Sequence, residues 1–208
     1  MTEWEGLAVT ESLTTRGLRR RQELVEAAAA ILRETGPASV SMRNVARHGG
    51  ASLSAMTYYF ETADELLEDA GRVNIALWAE RAERVAERAE AGDPTQGFDA
   101  AIDLVLGATL PSQDPLLGHY LQLVAAGSSV PVARAYATGR GRLNLAVGRV
   151  LRVAGIELPA ELVIAVVDGA AVTALSERRD VHTTARRLLE LALTRCAGEQ
   201  DSPTRSEE

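Results

Sequence analysis

Apolar residues recur at helical spacing along almost the whole chain, and no alternating strand pattern lasts for more than a few residues. Leu24, Ala28, Ile31 and Leu32 make one stripe. Leu66, Ala70, Val73, Leu77 and Trp78 make a second, and Phe98, Ile102, Val105 and Leu106 a third. Residues three, four and seven apart share one side of an α-helix, so each stripe is a face that has to be buried against a neighbour. The fold class is therefore all-α, with about nine helices.

Breakers and caps divide the chain. A helix over Arg16–Thr35 ends at Gly36-Pro37, and a short one over Met42–His48 has Ser41 as its N-cap. Gly49-Gly50 makes a turn before a third helix, from Ser52 to Tyr59. Thr62-Ala63-Asp64-Glu65 is a capping box that opens a long helix to Glu90, broken by Ala91-Gly92-Asp93-Pro94. Further helices are expected over Thr95–Leu110, Pro115–Ala126 (capped by Asp114), Pro131–Ala154 (ended by Gly155), Pro159–Ser176 and Val181–Cys196. The expected organisation is a flexible segment 1–15, a three-helix unit 16–62, a helical domain 63–197 and a disordered polar tail 198–208.

Several function classes drop out. With Cys196 as the one cysteine, an internal disulfide and a cysteine-rich zinc site are excluded. His48, His119 and His182 have no metal-ligand spacing, and no phosphate-cradling glycine loop follows a strand. An enzyme is not expected, nor a cofactor or metal. No apolar run reaches the roughly 20 residues of a membrane span, and Met1–Thr15 lacks the order of a secretory signal; a cytoplasmic protein is expected.

Charge is unevenly spread. All 22 basic residues are arginine. Residues 16–60 hold seven arginines against three acids, a local +4 on a chain of net charge −7, which leaves −11 for the rest. An electropositive end on an acidic body confines anion binding to that end, although a solvated basic helix face has the same composition.

Val40–Phe60 has the order of a helix-turn-helix, which lays its second helix in the DNA major groove while the first crosses the backbone. Ser52, Ser54 and Ala55 are small enough to let the second helix approach base edges, and Arg43 can pair with guanine in two-pronged fashion. Tyr58 and Tyr59 offer hydroxyls for phosphate, although Tyr58 could equally be packed. Ser41 and Thr57 complete the expected DNA-facing set, and Arg16, Arg19, Arg20 and Arg21 precede it as a flexible arm for phosphate or minor-groove contact. Val45, Ala46, Met56 and Phe60 are expected core, and His48 a solvated or capping residue.

Residue by residue, Arg21–Leu67 resembles the TetR family of bacterial transcriptional regulators. The resemblance lies in Ser41-Met42-Arg43-Asn44-Val45-Ala46, Gly50-Ala51-Ser52, Tyr58-Tyr59-Phe60 and Thr62-Ala63-Asp64-Glu65-Leu66-Leu67. Two positions depart from the family pattern. Thr57 replaces a DNA-touching tyrosine, and Ala63 replaces a phosphate-contacting lysine. The resemblance implies a homodimer that binds a palindromic double-stranded operator, with dimerisation and effector binding after Thr62.

In its own terms, the helix Pro159–Ser176 is apolar nearly all round, and with the preceding helix it could form a four-helix dimer bundle. The expected interface is Leu143, Val147, Val150, Val163, Val166 and Ala170, with packing inside one chain as the alternative. The expected effector pocket is Trp78, Phe98, Ile102, Leu106, His119, Tyr120 and Leu123, each of which could instead be ordinary core. Asp168 reads as structural, either capping a buried hydrogen-bond network or paired with an arginine such as Arg149. The function expected is a repressor released by a small, largely apolar molecule. The alternatives are a helical ligand-binding protein with weak or lost DNA affinity, and a DNA-binding regulator governed by a protein partner.

Overall fold

The structure is a computed structural model that describes residues 14–92, 97–111 and 119–200. Among the described residues there are nine α-helices and no strand. The caps predict where the first helices begin. Helix α1 (Thr15–Thr35) starts where the Thr14 hydroxyl accepts from the Gly17 N–H, and it stops at Gly36, whose φ of 87° reverses the chain. After a 3₁₀ turn at Pro37–Ser39 come α2 (Met42–His48) and α3 (Leu53–Tyr59), each opened by a serine. Ser41 accepts from Asn44 N–H at 3.2 Å, and Ser52 accepts from Ala55 N–H at 3.1 Å.

Helix α4 (Ala63–Ala91) starts at Thr62, which accepts from Glu65 N–H. The Glu65 carboxylate reaches back one residue further than a capping box requires, to Glu61 N–H at 2.8 Å. There follow α5 (Phe98–Thr109), α6 (His119–Ala126), α7 (Val130–Val153), α8 (Ala160–Ser176) and α9 (Val181–Gln200). The expected starts at Thr95 and Asp114-Pro115, the segment before Thr14 and the tail beyond Gln200 lie outside the described residues.

There are two cores. Helices α1–α3 bury Leu24, Leu32, Val45, Met56 and Phe60 together with Leu66 and Ala70 of α4 and Val132 of α7. The second core joins the rest of α4 to α5–α9. Thr62, the expected domain edge, thus marks the start of a helix that both cores share.

Helices α4 and α7 run parallel and close, through Gly71 against Ala135 and Gly139 against Ile75. Three ion pairs in the same order flank that seam: Glu68–Arg134, Glu83–Arg142 and Glu90–Arg149. Because the approach is set by small residues, α4 buries Ala70, Gly71, Asn74, Ala79 and Ala82, and Leu77, expected on the apolar side, faces outward. Helix α8 is buried along one side only. Val163, Ile164, Val167 and Ala170 point inward, and Leu162, Ala165 and Gly169 are exposed.

Candidate nucleic-acid interface and effector cavity

The helix-turn-helix is held from behind. Gly50 takes a φ of +61°, and a side chain at Gly49 would come within 2.7 Å of Leu24 in α1, so the turn needs both glycines for different reasons. Arg20 braces this turn, donating to the carbonyls of Gly49 at 2.6 Å and Gly50 at 2.9 Å and to Glu23. Arg21 ties α1 to α4, donating to Glu65 at 2.6 Å and Asp69 at 2.7 Å, with its guanidinium 4.7 Å from the Phe60 ring centre. Burial works against the Arg21 charge, but the bonds to Glu65 and Asp69 outweigh it and its pKa is raised.

The expectation of a flexible arginine arm is therefore corrected. All four arginines lie in the first two turns of α1, and Arg20 and Arg21 are spent on internal contacts that sequence spacing does not reveal. Arg16 and Arg19 remain exposed, beside a groove of about 470 Å³ that reaches Tyr58 and Tyr59.

On the outer side of α3, Ser52, Ser54, Thr57 and Tyr58 are exposed, Tyr58 by 61%, while Met56 is fully buried. Tyr58 therefore points out and is not core. Its ring meets Tyr59 edge-on at 5.1 Å, and Tyr59 and Ala55 are half-buried. Exposed Arg43 has no hydrogen bond or ion pair among the described residues. Ser41, Ser52 and Thr57 spend hydroxyl bonds on caps or on the helix itself, Thr57 to the Ser54 carbonyl. Val45, Ala46 and Phe60 are core, and His48 is exposed against the Asn44 carbonyl.

The second site is a small cavity of about 20 Å³, room for about one water. Trp78, Tyr120 and Leu123 line it, as the sequence suggests, together with Arg81, Arg140, Ile164 and Asp168. Ile102 is core instead, and Phe98 is 51% exposed. Leu106 faces a separate open cleft of about 570 Å³, and the His119 side chain lies outside the described residues. Arg81 and Arg140 are absent from the sequence-based set. The signal for Arg81 is its place three residues after Trp78, on the same side of α4.

Asp168 is not paired with Arg149, which grips Glu90 with two bonds of 2.9 and 2.5 Å. It faces the cavity, where burial raises its carboxyl pKa to about 6, against the pull of Arg140. The Tyr120 hydroxyl is pushed up by burial and then by the Asp168 charge, and it donates to the Thr109 carbonyl at 3.0 Å.

The cavity connects to the N-terminal unit. The Trp78 ring lies 5.4 Å from Tyr136, and the Asn74 side chain bears on the Tyr136 hydroxyl. Asn74, fully buried, accepts from Arg33 at 2.6 Å and donates to the Ala29 carbonyl, both in α1.

Of the expected dimer residues, Leu143, Val147, Val150, Val163 and Ala170 are buried in the chain's own core, so a second copy could not touch them without opening it. Only Val166 is partly open. Apolarity alone does not separate packing within a chain from packing between chains.

Among the described residues, no group of three His, Cys, Asp or Glu could hold a metal, and no helix is long and apolar enough to cross a membrane.

Residues 24–70 match the family model described as "Bacterial regulatory proteins, tetR family". The HTH-type transcriptional regulator PksA of Bacillus subtilis is 43% identical over 49 residues, which is 24% of this chain and 24% of that protein's length. A TetR transcription regulator from Haloarcula marismortui shares the fold with a TM-score of 0.64 at 21% identity, covering 86% of this chain and 98% of that one. The multidrug binding protein EbrR, solved with imidazole, gives 0.59 at 23% identity, covering 90% and 98%. Residues 24–70 thus carry a helix-turn-helix unit of the kind the tetR family model describes, on an all-helical fold shared with such regulators over most of the chain.

Proposed function

We propose that the chain is a homodimeric repressor that reads a palindromic operator with α3 and releases it when a small, largely apolar molecule enters the cavity between α4, α7 and α8. The observation that carries this reading is the continuous packing from Trp78 through Tyr136 and Asn74 to Arg33, which joins a cavity wall to the helix behind α3. With room for only about one water, the cavity admits a larger molecule only if Trp78 and its neighbours move. Such a molecule would favour the moved arrangement by its differential affinity, and α1 would follow.

Arg43, Ser54 and Tyr58 would face DNA, with Arg16 and Arg19 on phosphate. For the dimer, support comes from exposed apolar residues on the outer sides of the last two helices, Leu162 at 44% and Leu191 at 52%. EbrR, a multidrug binding protein of the same fold, supports a small-molecule ligand.

The test is a mobility-shift assay on DNA flanking the chain's own gene, with unrelated DNA as competitor and a panel of apolar compounds. A competitor-resistant complex that dissolves with one compound class is expected. A complex with no preference over the competitor would contradict operator binding, and indifference to every compound would contradict ligand release.

A further inference from the structure

We infer that the effector is an organic anion with an apolar body, its anionic head held by Arg81 and its body beside Trp78, Leu123 and Ile164. This rests on the ligand-release reading above and names the ligand class. Arg81 is half-buried, yet it makes no hydrogen bond and no ion pair among the described residues. Arg140, the other arginine on the cavity wall, also makes no hydrogen bond or ion pair among the described residues, but its charge acts on Asp168, while Arg142, Arg149 and Arg186 each hold a carboxylate. A guanidinium partly withdrawn from water with no protein acceptor is a ready partner for an incoming anion, which would add a charge-assisted hydrogen bond. Burial also lowers the Arg81 pKa, the mark of a charge that lacks compensation.

Position supports the same ligand. Arg81 lines both the small cavity and the open cleft. That cleft also carries Arg84, Arg88, His182 and Arg186, against Asp103 alone, which Arg186 already holds. An anion is thus drawn to the cleft, where Arg81 is the one lining residue it shares with the cavity. Inward, the wall turns apolar, and Asp168 lies on it. An ionised Asp168 repels an anionic head from the interior, so the head stays at Arg81 and the apolar end points inward.

The test uses the full chain and three ten-carbon probes that differ in head group, decanoate, decanol and decyltrimethylammonium, titrated calorimetrically below their micelle-forming concentrations. Decanoate should bind about tenfold tighter than either of the others. Arg81→Gln should erase that preference and leave decanol affinity within about twofold. Circular dichroism checks that the variant is folded, and the ranking of the three probes on the unaltered chain does not depend on it. Equal affinity for all three, or none for any, overturns the inference. Tightest binding of decyltrimethylammonium, lost in Asp168→Asn, also overturns it and makes Asp168 the head-group partner. In each of these cases the ligand-release reading stands if another compound class dissolves the DNA complex, and it falls only if no compound does.

Discussion

Arg21 and Asp168 show how differently one buried charge can be managed. Arg21 faces two carboxylates and an aromatic ring, so removing it strands Glu65 and Asp69 beside each other. Arg21→Ala is expected to lower stability by about 1–3 kcal/mol, the size of a lost charged hydrogen bond at a part-exposed site. Urea unfolding measures it, and a change within about 0.5 kcal/mol would contradict the bracing role. Asp168 has burial and no hydrogen bond among the described residues, and its carboxyl titrates near 6 against an ordinary 3.8. Between those values the folded chain keeps a proton that the unfolded chain has lost, so stability falls as pH rises through that window. Asp168→Asn should therefore be more stable than the parent at pH 7.5, by on the order of 2 kcal/mol, with the gap closing towards pH 4. A gap that does not depend on pH would show that the carboxyl is not buried as described.

At the scale of elements, the seam between α4 and α7 makes two glycines in one helix respond in opposite directions. A side chain at Gly139 meets Ile75, whereas one at Gly148 meets nothing within 4 Å. Gly139→Val should destabilise by about 1–3 kcal/mol through overpacking. Gly148→Ala should stabilise by about 0.5–1 kcal/mol through helix propensity. Thermal unfolding of both variants checks the pair, and a shared sign would contradict the parallel seam. For α2 and α3, Arg43→Ala should cost about 1–3 kcal/mol of operator binding and relax sequence preference, as measured by mobility shift. These elements were legible in sequence because their signals are local: Ser41, Ser52 and Thr62 cap the helices they precede. The cavity was only half legible. Which side of α4 meets α7 depends on small residues such as Gly71 and Gly139, so apolar spacing alone puts Leu77 inside and passes over Arg81. Arg20 looked like part of a loose arm because its partners, the Gly49 and Gly50 carbonyls, lie about thirty residues away in the chain.

For the whole molecule, the proposed function places DNA at α3, a ligand in the cavity beside Trp78 and a dimer face on the outer sides of α8 and α9. Leu143, Val147 and Val150 face inward from α7 and Val163 and Ala170 from α8, whereas Leu162 of α8 and Leu191 of α9 face outward. Changing both leucines to glutamate should give a folded monomer by sedimentation, because a charge desolvated against its own copy is repelled. A dimer that survives both changes would place the interface elsewhere. The most direct test of the central claim is a hydroxyl-radical footprint of the chain on DNA flanking its gene. The account predicts two inverted protected half-sites about one helical turn apart, both lost with Arg43→Ala and Tyr58→Ala together. Protection without inverted symmetry, or protection that survives the double variant, would contradict it.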